Sequence, residues 1–259
     1  MPSYNSAPFI ERSLLSVLNQ SYADIELIVI DGGSTDGTVE IIERYADQLA
    51  YWESAKDQGQ SDALNKGFAR ATGEIYGWLN ADDLYCAETF TAAAAQFANP
   101  RIELVYGDWL SIDADDHVTF RSIALPPSLP RLIADGFQFN LQATFWRARL
   151  HGKVGPFDVR LHRTMDYDFA VALLAEADRN QIAVVAQPLG CFRRHEAQKT
   201  QGFDIKVEAE QRMIAEKRGF LWKYGWKAKP IRLYSKVVKT LTWLRRGAGH
   251  EFRRTFLGT

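Results

Sequence analysis

The chain has 259 residues, 46% of them apolar and 24% charged, with a net charge of −1 at neutral pH. That length can bury a full core as one large domain or two small ones, and so even a balance excludes a protein that grips nucleic acid over its whole surface. Cys86 and Cys191 lack metal-ligand spacing and fit a reduced cytosolic protein, Met1–Asn5 has no signal-peptide pattern, and no uninterrupted apolar run is long enough to span a bilayer. In chain order, apolar spacing at Ile10, Leu14, Val17 and Leu18 predicts a helix over Phe9–Asn19. Leu27–Ile30 is a short β-branched run, as in a strand buried on both faces, and it enters the Gly- and Asp-rich turn Asp31–Gly37. A helix follows with Val39, Ile42, Tyr45 and Leu49 on one face, then another over Ser61–Ala71 closed by Gly73. Strands are expected at Ile75–Leu79 and Leu104–Asp108, with a helix over Glu88–Ala98 between them. From Asp113 to Arg163 the pattern is loose, and Pro126, Pro127 and Pro130 break any long element. Helices at Tyr167–Glu176 and Ile205–Lys217 and a strand at Ile182–Val185 complete the reading.

This alternation predicts an open, mostly parallel α/β sheet, whose ligands bind at the carboxyl ends of the strands. Asp31 and the Asn80-Ala81-Asp82-Asp83 loop both fall at such ends. Two adjacent carboxylates after a buried strand repel each other unless something positive sits in the loop. A hard divalent cation carrying phosphates supplies that charge, since Mg²⁺ takes one or two carboxylates plus phosphate oxygens. An acidic N-cap of the following helix is the plainer alternative.

Five blocks in order then resemble the family 2 glycosyltransferases: Pro2-Ser3-Tyr4-Asn5, Ser16–Tyr22, Glu26–Thr38, Asp57–Gly67 and Trp78–Asp83. The Asp31-Gly32-Gly33-Ser34-Thr35-Asp36-Gly37 block is similar to the subgroup that builds O-antigen and other surface polysaccharides. The resemblance covers nearly all of residues 1–200. It implies a GT-A fold, Rossmann-like and nucleotide-sugar-binding, and inverting transfer of one hexosyl unit from a UDP-, dTDP- or GDP-sugar to a glycan or lipid-linked acceptor. It implies Mg²⁺ or Mn²⁺ on Asp83, with Asp82 at metal or ribose and His195, in Phe192-Arg193-Arg194-His195, completing the metal shell or touching phosphate. Pro2, Tyr4, Asp31, Asp57, Asp62, Asn80 and Gln142 would line the donor, with plain loop or cap roles left open for Tyr4, Asp57 and Asp62 and a buried strand amide for Gln142. Met165-Asp166-Tyr167-Asp168-Phe169 is similar to the block that carries the general base, which falls on Asp166. A helix-terminus carboxylate held by the macrodipole is the other reading of Asp166.

Three positions depart from the pattern. Gly32 stands where many relatives carry a second Asp that reads the nucleobase, and Leu141 replaces a common His. The apolar strand that normally precedes Pro-Ser-Tyr-Asn is lacking, so Met1 is expected to be an internal residue of a longer natural chain. From Arg218 onward there are eleven Lys/Arg against one acid, Glu251, which puts about +10 on the tail and −11 on the rest. Residues 1–217 are therefore read as the transferase domain and 218–259 as a basic, aromatic, helical tail. Its Trp, Tyr and Lys suit peripheral contact with the inner face of the plasma membrane, with protein docking or a solvated basic face as rivals. A sugar-phosphate nucleotidyltransferase would show a Gly- and Arg/Lys-rich loop near the N-terminus, absent from Pro2–Gln20, and a non-catalytic nucleotide- or glycan-binding module would not depend on Asp83 and Asp166.

Overall fold

Helices and strands alternate through the first half of the computed structural model, which describes residues 1–136, 139–196, 198 and 205–246. Strand β1 (Pro2–Ser3), helix α1 (Ile10–Leu18), strand β2 (Ile28–Asp31), helix α2 (Thr38–Arg44) and strand β3 (Tyr51–Ser54) build a three-stranded parallel sheet in the order β1-β2-β3. All four residues of β2 are buried, as its unbroken apolar run requires, and α1 turns Ile10, Leu14 and Val17 inward beside Val29. Helix α3 (Gln60–Arg70) leads to a second, six-stranded sheet. That sheet contains β4 (Ile75–Gly77), β5 (Leu84–Tyr85), β6 (Leu104–Ile112), β7 (Val118–Ser122), β8 (Thr144–Arg147) and β9 (Ile182–Arg193). Its order is β4-β8-β6-β9-β5, with β7 on β6. Around it lie α4 (Thr89–Phe97), α5 (Leu129–Asp135), α6 (Ala148–Val154), α7 (Met165–Glu176), α8 (Ile205–Lys217) and α9 (Ala228–Arg245).

The expectation of a mostly parallel sheet is corrected. Among the described residues only β1–β2, β2–β3 and β6–β9 pair in parallel; β4–β8, β6–β8, β6–β7 and β5–β9 are antiparallel. One of the four antiparallel pairings joins β5 to β9; the other three involve β7 or β8, which come from the stretch with no clear period. Within it Pro130 starts a helix rather than breaking one: it sits in the first turn of α5, where a missing N–H costs nothing, and the Ser128 hydroxyl accepts the Arg131 N–H. Helix α2 stops at Arg44 and tightens into a 3₁₀ turn over Ala46–Gln48, which frees Tyr51–Ser54 to form the unforeseen edge strand β3.

The apolar strand that the resemblance places before Pro2 is not in the sequence; Pro2–Ser3 itself forms the two-residue β1. The backbone nitrogen of Met1 donates to Ile28 O at 2.6 Å. Beside it a cavity of about 450 Å³ lies between the two sheets, lined by Ile28, Leu64, Ile75, Tyr76 and Leu79 among others.

Helix α7 is buried on every side and forms the centre of the larger core with Trp146, Phe157 and Leu132. Helix α9 lies against α5: Ser235 Oγ and Lys239 Nζ each reach Asp135 Oδ2 at 2.6 Å, and Arg232 Nε donates to Ala134 O at 2.7 Å. At its far end Arg246 forks onto buried Asp108 at 2.7 and 2.9 Å. Residues 247–259 of the expected tail lie outside the described residues.

Candidate functional site

The loop after β2 is organised by one carboxylate. Asp31 is fully buried, and it accepts hydrogen bonds from Gly33 N (3.0 Å), Ser34 N (2.8 Å), Ser34 Oγ (2.5 Å) and Ser54 Oγ (2.7 Å). Through these four hydrogen bonds Asp31, expected beside the donor, holds the shape of the loop. The segment after β1 is stitched to the same loop: Asn5 N donates to Ser34 Oγ, Thr35 N to Asn5 Oδ1, and Ala7 N to Asp36 Oδ2. Pro2 is buried in β1, whereas the Tyr4 ring is left exposed on the loop surface.

Gly32 has a steric reason. A Cβ built there would lie 2.9 Å from Asp57 Oδ2, so the Asp57 carboxylate occupies the space a side chain at 32 would need. Asp57 Oδ1 also accepts Gly59 N at 2.7 Å, at the entry to α3. Asp62, on the first turn of α3, accepts Gln58 N at 3.1 Å and pairs with Lys66 at 3.1 Å; the backbone bond from Gln58 foremost holds its carboxyl below the usual range.

The acidic loop lies between β4 and β5. Asn80 Oδ1 accepts from Gln60 Nε2 and Trp78 Nε1, both at 2.7 Å, which ties the loop to the start of α3. Asp83, expected as the leading metal ligand, points inward: it is 1% exposed, with Oδ1 taking Arg193 N and Oδ2 taking Asn80 Nδ2, both at 2.9 Å. Burial first, and then the neighbouring Asp82, push its carboxyl well above the usual range. Asp82 faces outward instead, and its Oδ2 lies 3.0 Å from His195 Nε2. The geometry thus turns Asp82 toward His195 and Asp83 into the protein. Among the described residues, the acid and His group with three ligand atoms within 4.8 Å of one another is Asp113, Asp115 and His117 on the exposed β6–β7 turn, not Asp82, Asp83 and His195.

Arg193, at the end of β9, is what brings these pieces together, and motif reading missed that role. Its side chain is fully buried; Nε donates to Asp82 O (2.7 Å), Nη1 to Asp113 O (3.0 Å) and Ala114 O (3.1 Å), and it pairs with Asp116. One planar guanidinium thus fixes the acidic loop, the β6–β7 turn and, two residues on, His195. Phe9 packs against the His195 ring in a tilted arrangement, 4.5 Å between centroids. Behind the loop Cys86 and Cys191 are free thiols with sulfurs 3.6 Å apart across β5 and β9, a proximity their sequence separation hides.

Asp166 sits in the first turn of α7, where the helix dipole favours an anion, and its Oδ1 accepts Tyr167 N at 2.7 Å. Burial, aided by the charge of Glu210, nevertheless pushes its carboxyl up to about 6. Glu210, on α8, holds the approach to that helix by accepting His162 N, Arg163 N and Thr164 N, each at 3.0 Å, and the Thr164 hydroxyl at 2.8 Å. Burial raises the Glu210 carboxyl, but those bonds outweigh it and leave it below the usual range. Asp168 pairs with Lys217 and Arg218 and so fastens α7 to α8. Glu210→Gln is expected to cost about 2–3 kcal/mol, the worth of hydrogen bonds to a charged acceptor. It should also let Asp166 titrate below its native value of about 6, because a like charge is removed; thermal unfolding and an NMR titration of the Asp166 carboxyl check both.

Gln142 is buried beneath β9 on a 3₁₀ turn capped by Asn140, whose Oδ1 accepts Gln142 N at 3.0 Å. A Cβ at Gly190 would fall 2.4 Å from Gln142 O, so the glycine lets the two backbones meet.

The model of Glycosyl transferase family 2 matches residues 1–157, more than half of the chain. The chain belongs to that family. It is similar to the PGL/p-HBAD biosynthesis glycosyltransferase of Mycobacterium tuberculosis (strain ATCC 25618 / H37Rv), 35% identical over 182 residues that make up 66% of each chain. An uncharacterized glycosyltransferase of the same strain is 30% identical over 67% of this chain and 68% of its own. The chain thus spans about two thirds of the length of these relatives. Among solved structures, S. aureus TarS 1-349 in complex with UDP-GlcNAc superposes with a TM-score of 0.66 at 20% identity, covering 90% of this chain and 77% of that one. The mannosyltransferase PcManGT of Pyrobaculum calidifontis, in complex with GDP-Man and Mn²⁺, gives 0.59 at 21% identity over 97% and 79%. At that identity these likenesses establish the fold, a GT-A arrangement of mixed sheets and helices.

Proposed function

We propose that this family 2 member transfers a single sugar, with inversion, from a nucleoside-diphosphate sugar to a hydroxyl of a glycan or lipid-linked acceptor, on the cytoplasmic side of surface-polysaccharide assembly. The observation that carries the proposal is the outward pair Asp82–His195, 3.0 Å apart at the carboxyl end of a strand and locked by Arg193. Two cis ligands of an octahedral ion with bonds of about 2.1 Å lie about 3 Å apart, so the pair fits one divalent cation, Mg²⁺ or Mn²⁺. Asp83 supports that pair from behind and keeps the loop closed.

When bound, the cation neutralises charge on the departing diphosphate. The chain's own residues do the rest. Tyr4, Asn5 and Asp57 line the nucleoside side, with Asp31 fixing their loop, and Asn80 and Gln142 border the diphosphate and sugar. Asp166 takes the proton of the acceptor hydroxyl as its oxygen attacks the anomeric carbon, the bond to the diphosphate breaks, and the nucleotide leaves from the opposite face.

A panel of UDP-, dTDP- and GDP-sugars tested by thermal unfolding with and without Mn²⁺ checks the reading. At a hundredfold excess over Kd the matching donor adds about 2.7 kcal/mol, which in a domain of this size raises Tm by roughly 5–10 °C. The rise should require the divalent ion and vanish in Asp82→Asn. No shift with any nucleotide or nucleotide sugar overturns the reading.

A further inference from the structure

Helix α9 presents a face that none of the described residues covers. Its inner side is accounted for: Arg232, Ser235 and Lys239 are held by α5, Arg246 by Asp108, and Trp243 is 5% exposed. On the opposite side Leu233, Val237, Leu241 and Leu244 recur at intervals of four, four and three residues, with Tyr234 beside them. That spacing puts them on one stripe, and they are open to solvent, Leu233 at 67% and Leu244 at 60%. Trp226, 74% exposed, stands just ahead of the helix N-terminus.

Charge decides what this stripe meets. Residues 218–246 contain no Asp or Glu, and Lys229, Lys236 and Arg245 flank the stripe. An apolar stripe buries against any apolar partner, but an edge of cations with no acids favours a surface that is anionic throughout and greasy just beneath. Lipid headgroups over acyl chains have that profile, and Trp and Tyr sit well at their boundary. No described helix is long and apolar enough to cross a membrane, so the geometry is that of a helix lying in the interface plane. An 18-residue helix offers about 27 Å of such contact. We infer that α9 docks the protein on an anionic lipid bilayer, its Leu233–Leu244 stripe inserted at the headgroup boundary and its cations on the lipid phosphates. This docking rests on the helix alone and does not depend on the sugar-transfer reading.

The test is co-sedimentation of the full chain with vesicles of phosphatidylglycerol mixed with phosphatidylcholine, and with phosphatidylcholine alone. The native protein should pellet with the anionic vesicles and bind them at least about tenfold more tightly than the neutral ones. The triple variant Leu233→Gln, Val237→Gln, Leu241→Gln should lose about tenfold or more with unchanged Tm, because all three side chains are exposed. The pair Lys229→Glu, Lys236→Glu should weaken anionic binding by a similar factor. Native protein that stays in the supernatant with both vesicles overturns the inference. Undiminished binding by the triple variant also overturns it, since adsorption would then be electrostatic without insertion. Self-association of the native chain by sedimentation equilibrium, abolished by the triple variant in the absence of any vesicle binding, would assign the stripe to a second copy.

Discussion

Asp166→Asn is expected to lower kcat by about 10²–10⁴-fold, the usual contribution of a positioned general base, while Tm at neutral pH holds level or rises. The two halves of that result have one cause. The native carboxyl titrates at about 6, above its ordinary value, because burial disfavours the anion. The folded state therefore holds a proton over a pH range in which the unfolded chain has released it, and stability falls as pH rises through that window. Above about 6 the native protein carries the full cost of a buried charge, and Asn removes it. A base, by contrast, works only when deprotonated, so kcat/KM of the native enzyme should fall on the acid side of about 6 and level off above it. Asn should erase that limb. A variant that loses activity together with stability, or keeps the acid limb, would place the base elsewhere.

The second large effect is expected on the fold itself. Arg193→Met should destabilise the chain by about 3–5 kcal/mol, the cost of removing one partner from a buried ionic cluster. In a domain of this size that lowers Tm by on the order of 10 °C. The carbonyls of Asp82, Asp113 and Ala114 lose their donor, and Asp116 loses a cation. Donor binding should fall further than stability predicts, because the same guanidinium sets the Asp82–His195 separation. Arg193→Lys restores the charge but not the planar fork, so it should recover less than half of the lost stability. Denaturant unfolding of the three proteins, beside nucleotide-sugar titrations at a temperature where all are folded, separates the two contributions. Equal donor affinity in Arg193→Met would sink the organising role.

Much of this was legible because local rules agree with the tertiary outcome. The run Leu27–Ile30 had no polar residue to face water, so it could only be a covered strand, and α8 keeps its expected bounds from Ile205 to Lys217. The middle of the chain resisted for the opposite reason. Strands β7 and β8 are four or five residues long and are selected by pairing with β6, a partner no local period announces. The site divides along the same line. Residue type and position marked Asp82 and Asp83, and the family resemblance marked His195 and Asp166, but which carboxylate of the pair turns outward depends on Arg193 N reaching Asp83 from more than a hundred residues away. The importance of Arg193 was hidden for the same reason: its partners are mostly backbone carbonyls, which carry no side-chain signature.

The facing of Gly32 by Asp57 bears on how members of such a family should be compared. Read column by column, position 32 is a glycine where the resemblance implies an acidic group. Read as geometry, a carboxylate still stands within 2.9 Å of where that side chain would begin, delivered by the segment after the next strand. Loss and relocation look identical in an alignment and opposite in space. The quantity to match between members is the occupied volume, whichever stretch of chain happens to fill it.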